Sequence, residues 1–220
     1  AAAEAGRQFP LYLGSEGTGI FSGVLSPGAN GYRFGGSGAL TVTSMLSGNI
    51  PVTIDGHNKS GGVITLAGAN AFTGTLTVRG FDGSLVPSGG VGSITLAAGS
   101  TTSFGTSAPV VLQDGGILDL NGQAVTVGSI TGTAGSAVTN GSASAPGSLI
   151  IQQSTDGTLA SILSSPGGYN LNLLKHGAGV LTLSGANTHT GVHTVANGVL
   201  RLGAVGSLGA ASSSVVVQSG

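Results

Sequence analysis

Residues 62–78 read G-V-I-T-L-A-G-A-N-A-F-T-G-T-L-T-V, and residues 179–195 read G-V-L-T-L-S-G-A-N-T-H-T-G-V-H-T-V. The two stretches align without a gap and agree at 11 of 17 positions. Such a self-match constrains the fold strongly, because repeated units bury themselves against neighbours of their own kind. The offset between copies is not fixed. Gly179 aligns with Gly62 at an offset of 117 (179 − 62) and with Gly38 at 141 (179 − 38), so the first copy carries one extra unit, Gly38 to Gly61. Further along, the offset from Val78 to Leu112 is 34 (112 − 78), against 22 from Val195 to Val217 (217 − 195). Losing a whole unit would breach the core of an ordinary domain. In a solenoid it removes one coil, and each coil touches only its neighbours.

The local pattern agrees. Short runs rich in Val, Ile, Leu and Thr recur at 39–43, 52–55, 63–67, 76–79, 93–97, 110–113, 117–120, 125–127, 148–152, 171–174, 180–184, 192–195, 199–202 and 215–218. Gly, Asn, Asp, Pro or Ser separates them, which is strand-and-turn chemistry. Most alternate an apolar residue with Thr or Ser, so one face is buried and one is wet. A β-sandwich would also give many short strands. Aromatics are only 4% of the chain, too few to fill a two-sheet core, and the runs lack the Pro and charge that protect sandwich edges. The expected fold is therefore all-β, a parallel β-helix (solenoid) of about 24 residues per coil. It is expected to run over 1–220 as one continuous solenoid, with copy one at about 10–122, a loop-rich connection at about 123–147, and a truncated copy two at about 148–220. Asn70 and Asn187, in matching Gly-Ala-Asn turns, are expected at equivalent corners, where an amide bonds backbone and tolerates a left-handed conformation.

Composition excludes several classes of function. Asp, Glu, Lys and Arg together make up 6% of the chain, and the formal net charge is −1. Six scattered basic residues make no phosphate-tracking stripe, which argues against nucleic acid and against an anionic membrane surface. No apolar run approaches the length of a membrane-spanning helix. Glycine is 43 of 220 residues, but hydrophobic residues are 40%, so the chain can bury a core and is not disordered. The absence of cysteine rules out thiolate metal sites, disulfides and a cysteine nucleophile. The start, Ala1-Ala2-Ala3-Glu4, lacks the basic and apolar regions of a signal peptide. No cysteine, few basic residues and a Ser/Thr-rich surface together favour a secreted chain.

Residues 173–203 read L-L-K-H-G-A-G-V-L-T-L-S-G-A-N-T-H-T-G-V-H-T-V-A-N-G-V-L-R-L-G. This stretch resembles the autotransporter passenger-associated β-strand repeat. Lys175, Gly177, Gly179, Leu181, Leu183, Gly185, Asn187, Gly191, Val195, Gly198 and Leu200 fit that pattern. His189 stands at its usual aromatic position and His193 where Thr is common, whereas Phe72 keeps the aromatic in the first copy. The passage 115–123 also resembles the family's connecting segment. The resemblance implies a right-handed parallel β-helix, exported through an outer-membrane translocator to the cell surface.

Candidate chemistry is sparse. Gly35-Gly36-Ser37-Gly38 and Gly89-Gly90-Val91-Gly92 begin like a calcium-binding nonapeptide. Leu40 and Ile94 stand where its Asp would be, so no hard-cation site is expected. Asp55 and His57, beside Asn58 and Lys59, could form an oriented histidine; with no nucleophile motif they read as a polar loop. His189 and His193 are four apart, a metal spacing on helices that loses its meaning across a turn, and together with Lys175 they read as coil-surface residues. Asp114 and Asp119 are the closest acidic pair, too few for the paired-carboxylate chemistry of glycan cleavage. Asn58-Lys59-Ser60 and Asn140-Gly141-Ser142 are formal glycosylation sequons. No catalytic, cofactor or metal residue is expected. The expected function is a non-enzymatic extracellular stalk or adhesive passenger segment, with a head-to-tail homopolymeric filament as the alternative and a polysaccharide-active enzyme third. Expected partners are neighbouring repeats of the same protein or homopolymer, and a host or surface glycan or protein ligand.

Overall fold

The computed structural model describes residues 11–56, 61–80, 92–203 and 207–218. Among these the regular structure is all strand, without a helix. The strands stack in parallel on three sides of a coil. The first sheet holds β2 (Tyr32–Gly35), β5 (Val52–Asp55), β8 (Leu76–Arg79), β10 (Pro109–Gln113), β13 (Ser129–Gly132), β16 (Gly157–Leu159), β19 (Val180–Leu183) and β21 (Val199–Leu202). The second holds β1 (Thr18–Phe21), β3 (Ala39–Val42), β6 (Gly62–Leu66), β9 (Ile94–Ala98), β11 (Gly116–Asp119), β14 (Ala137–Thr139) and β17 (Ile162–Ser164). The third holds β12 (Ala124–Val127), β15 (Gly147–Gln152), β18 (Leu171–His176), β20 (Val192–Val195) and β22 (Ser214–Val217). In the earlier coils the two-stranded pair β4 (Ser47–Gly48) and β7 (Ala71–Phe72) takes the third place in the turn.

From β10 to β18 the chain passes from first to second to third sheet and starts again, while β9 leads straight to β10 and β19 straight to β20 of the third sheet; in all there are about eight turns. Register between turns measures coil length. Ala39 pairs with Val63, Val52 with Leu76, Ala124 with Ser148 and Gly157 with Leu181, each at an offset of 24. Other turns are shorter: Pro109 pairs with Ser129 and Leu173 with His193, both at an offset of 20. The extra unit Gly38 to Gly61 is thus one whole turn. The difference between the offsets from Val78 to Leu112 and from Val195 to Val217 has another origin. Each of these is itself a register pair, so the surplus lengthens a single turn and adds no coil.

Alternation along each strand fills the interior with like on like. Leu40, Ile64, Leu96, Leu118, Val138 and Leu163 form one column through six turns of the second sheet, all buried. Val125, Leu149 and Leu173 form another in the third. The repeat's glycines have a steric cause. A Cβ at Gly68 would overlap the Ser44 carbonyl, and one at Gly185 the Ser161 carbonyl, each in the turn before. The matched pairs Gly62/Gly179 and Gly74/Gly191 abut the backbone of the preceding turn in the same way. Glycine therefore marks where one coil lies against the next.

Three expectations need correction. The two copies, expected to place Asn70 and Asn187 at equivalent corners, lie on different sides of the coil. β6 belongs to the second sheet and β19 to the first, while β8 lies in the first and β20 in the third. Their offset is not a whole number of turns, so the same sequence returns one side out of phase. The stretch 123–147, expected as a loop-rich connection, holds β12, β13 and β14 and ends where β15 begins, so it completes a turn of the coil. The left-handed non-glycine residues among those described are Asp114 and Asn121, at φ 49° and 46°, followed by Gly115 and Gly122 at 83° and 76°. These Asp-Gly and Asn-Gly pairs turn the chain into and out of β11 with two successive positive φ values, the conformation expected at Asn70 and Asn187.

A stack of this kind predicts phase-dependent tolerance to deletion. Removing residues 40–63, which joins Ala39 to Ile64 in unchanged register, is expected to preserve a cooperative β-rich fold. Removing residues 40–51, half a turn, is expected to abolish it. Circular dichroism and thermal unfolding of the two variants check this.

Candidate functional site

The polar groups in the interior identify what the coil uses its few functional side chains for. Asn70 is 3% exposed. Its Oδ1 accepts from the Leu46 N–H at 2.8 Å, and its Nδ2 donates to the Ser103 carbonyl at 3.0 Å. Asn187 repeats this: Oδ1 accepts from Leu163 N–H at 2.8 Å and Nδ2 donates to Ser207 O at 2.7 Å. In both, the donor lies in the preceding turn and the acceptor in the following one. Asn140 accepts from Gly122 N–H and donates to the carbonyls of Tyr169 and Asn170. Gln153 accepts from Ile130 N–H and donates to Val180 O, both at 3.3 Å. Each of the four amides therefore ties its own turn to the one before and the one after. The cause is geometric: where the chain leaves a strand at a corner, backbone groups lose their ladder partners, and a buried group left unpaired is costly.

Lys175 shares the interior. It is fully buried, between Ile151 and Val195 in the register of the third sheet. Its Nζ donates to the carbonyls of His176 and Gly177 at 2.7 Å, and reaches those of Gln153 and Asn197 at 3.4 Å. These oxygens come from three successive turns. Burial pulls its ammonium below the usual lysine range.

His189 and His193 are also fully buried. Their Nε2 atoms are 3.0 Å apart and the rings meet edge to face, with centroids 4.8 Å apart at 73°. His193 Nε2 also lies 2.8 Å from the Leu208 carbonyl. Neither Nδ1 has a hydrogen-bond partner. Burial, and then the neighbouring ring, lower His189 to about 4; burial lowers His193 as well. So Lys175, His189 and His193 are interior residues, which corrects the coil-surface assignment. Signals for this were present. Lys175 shares its alternation with Leu171 and Leu173, and the two histidines replace Phe72 and Leu76 of the first copy, both buried.

The remaining candidates serve the backbone or lie elsewhere. Asp119 Oδ1 accepts from Asn121 N–H at 2.9 Å and Gly141 N–H at 2.8 Å, bracing two corners. Asp114 forms the left-handed turn described above. Asn140, with its amide engaged and no exposed surface, is closed to modification in the folded chain. Leu40 is buried in the core, where the Gly35–Gly38 nonapeptide pattern would need a carboxylate. His57, Asn58, Lys59 and residues 81–91, including the start of the Gly89–Gly92 pattern, lie outside the described residues. Asp55 pairs with the Arg79 guanidinium and accepts from Tyr12 Oη at 3.0 Å, and Arg33 Nη2 donates to that same phenol oxygen at 3.1 Å. Burial, and then the Asp55 charge, raise Tyr12 above the usual phenol range. This ladder crosses four turns beside a cavity of about 870 Å³ lined by Tyr12, Leu13, Tyr32 and Arg33. Among the described residues no group of three or more His, Asp or Glu could hold a metal ion.

With this geometry in place, comparison with known families gives one result. Residues 60–80 and 173–202 match the family model of the passenger-associated-transport-repeat. The two matches coincide with the two copies of the motif, and they contain the glycines (Gly62, Gly68 and Gly74; Gly179, Gly185 and Gly191) and the asparagines (Asn70 and Asn187) that pack and bond turn to turn. No curated protein and no solved structure matches the chain.

Removing an amide leaves a buried N–H and a buried carbonyl unpaired. Asn70→Ala and Asn187→Ala are each expected to cost about 2–4 kcal/mol, measured by urea unfolding. Asn187→Asp, which keeps the acceptor but sets a carboxylate against Ser207 O, is expected to be no better than alanine.

Proposed function

We propose that this chain is a segment of an exported surface passenger and acts as a non-enzymatic structural stalk. The observation that carries the proposal is the use of the interior polar groups: four amides and Lys175 are spent on holding successive turns together. The match to the passenger-associated-transport-repeat supports export, and a surface with few charged residues suits a rod outside the cell. Stiffness follows from continuous parallel ladders plus amide bridges. Folding can advance turn by turn from a nucleus, which suits a chain that emerges unfolded through a pore.

The test is display. Fused to an outer-membrane translocator, the chain should become accessible to antibody on intact cells and resist added protease, and purified chain should image as a rod. About eight turns at ~4.8 Å make it roughly 40 Å long. Failure to reach the surface, or polysaccharide cleavage that disappears on Asp119→Asn substitution, would replace the stalk reading with another.

A further inference from the structure

We infer that the His189–His193 pair is an acid-sensitive pin, which fastens the turn carrying residues 207–218 at neutral pH and releases it in acid. The pair sits where that turn meets the body of the solenoid. His193 lies between Leu173 and Val215 in the third sheet, and the His189 N–H donates to Leu163 O at 3.1 Å. The segment leading into β22 rests on the same two residues. Leu208 O contacts His193 Nε2 at 2.8 Å, while Ala210 N–H and Ser213 Oγ donate to His189 O at 2.9 and 3.0 Å.

A proton has no favourable place to go. With the Nε2 atoms already engaged, it enters at Nδ1 of one ring, and both Nδ1 atoms face no partner. The result is a buried N–H without an acceptor on a buried cation. The Leu163 carbonyl favours the protonated form of His189 and the Leu208 carbonyl that of His193, but burial outweighs both. Of the elements packed against the pair, β18 carries Lys175 and His176 and β21 carries Arg201; β17, β19, β22 and residues 207–213 carry no charged or titratable side chain. None of these is a carboxylate.

A histidine held low in the fold binds its proton more readily once its segment opens, so opening is favoured as pH falls below about 6.5. The first copy shows that the position does not require histidine, since Phe72 and Leu76 fill it and are buried.

The test uses amide hydrogen exchange on the full chain, corrected for the pH dependence of intrinsic exchange. Between pH 7 and pH 5, residues 207–218 should lose protection by about twentyfold relative to residues 110–160, the ratio given by one histidine lowered from 6.5 to about 4. The double variant His189→Phe, His193→Leu should erase that difference. Uniform loss along the chain, no loss at all, or an unchanged loss in the double variant would each overturn the pin. Should the double variant not fold, imidazole NMR titration of the natural chain decides: titration of His189 near 4 and of His193 below the ordinary histidine range supports the pin, and titration of either ring within or above that range refutes it.

Discussion

Corner backbone is the constraint on which this solenoid depends. Along its strands, a parallel β-coil satisfies its own peptide groups through the ladders to the turns on either side. At the corners the ladders break, and the freed N–H and C=O groups point into or between turns where water is excluded. Asn70, Asn140, Gln153 and Asn187 answer this with a carboxamide, which offers a donor and an acceptor at once in a fixed plane. A carboxylate could only accept and an ammonium could only donate. Lys175 fits because its corner presents carbonyls alone.

The same constraint explains why so few charged residues are needed. Apolar columns supply burial, and amide bridges fix each turn's azimuth and register on its neighbours. The interior columns are tolerant of content as long as shape and polarity are satisfied. Phe72 and Leu76 in one place, and His189 and His193 in its counterpart, fill matching positions, the first pair with no titratable group and the second with two. Architecture and chemistry are thereby separable: the stack persists while single positions in it acquire a titratable character.

Much of this is legible from the chain. Alternation in residues 39–43 and 180–184 places strands and their buried faces, and the slip between Gly38 and Gly62 measures a turn. Two things are hidden. Sequence similarity reports local conformation, so it does not say that β6 and β19 belong to different sheets; that depends on the summed lengths of every intervening turn. Polarity is also a poor guide to exposure here, and it misplaces Lys175, His189 and His193. Their burial depends on partners in neighbouring turns, such as the Leu208 carbonyl and the Gln153 carbonyl, and no local window contains them. At the four buried amides, too, the sequence marks the corner without naming the backbone groups it serves.

The phase difference between the copies has a directional meaning. Because closely similar motifs return on different sides of the coil, the corners that follow them face different directions around the axis. A loop grafted after Leu66 and the same loop grafted after Leu183 would point away from one another around the rod. Variation in turn length thus acts as an angular setting. A polypeptide with no rotational symmetry in its sequence can distribute its surface features around a shaft by adjusting only how much chain each turn spends at its corners.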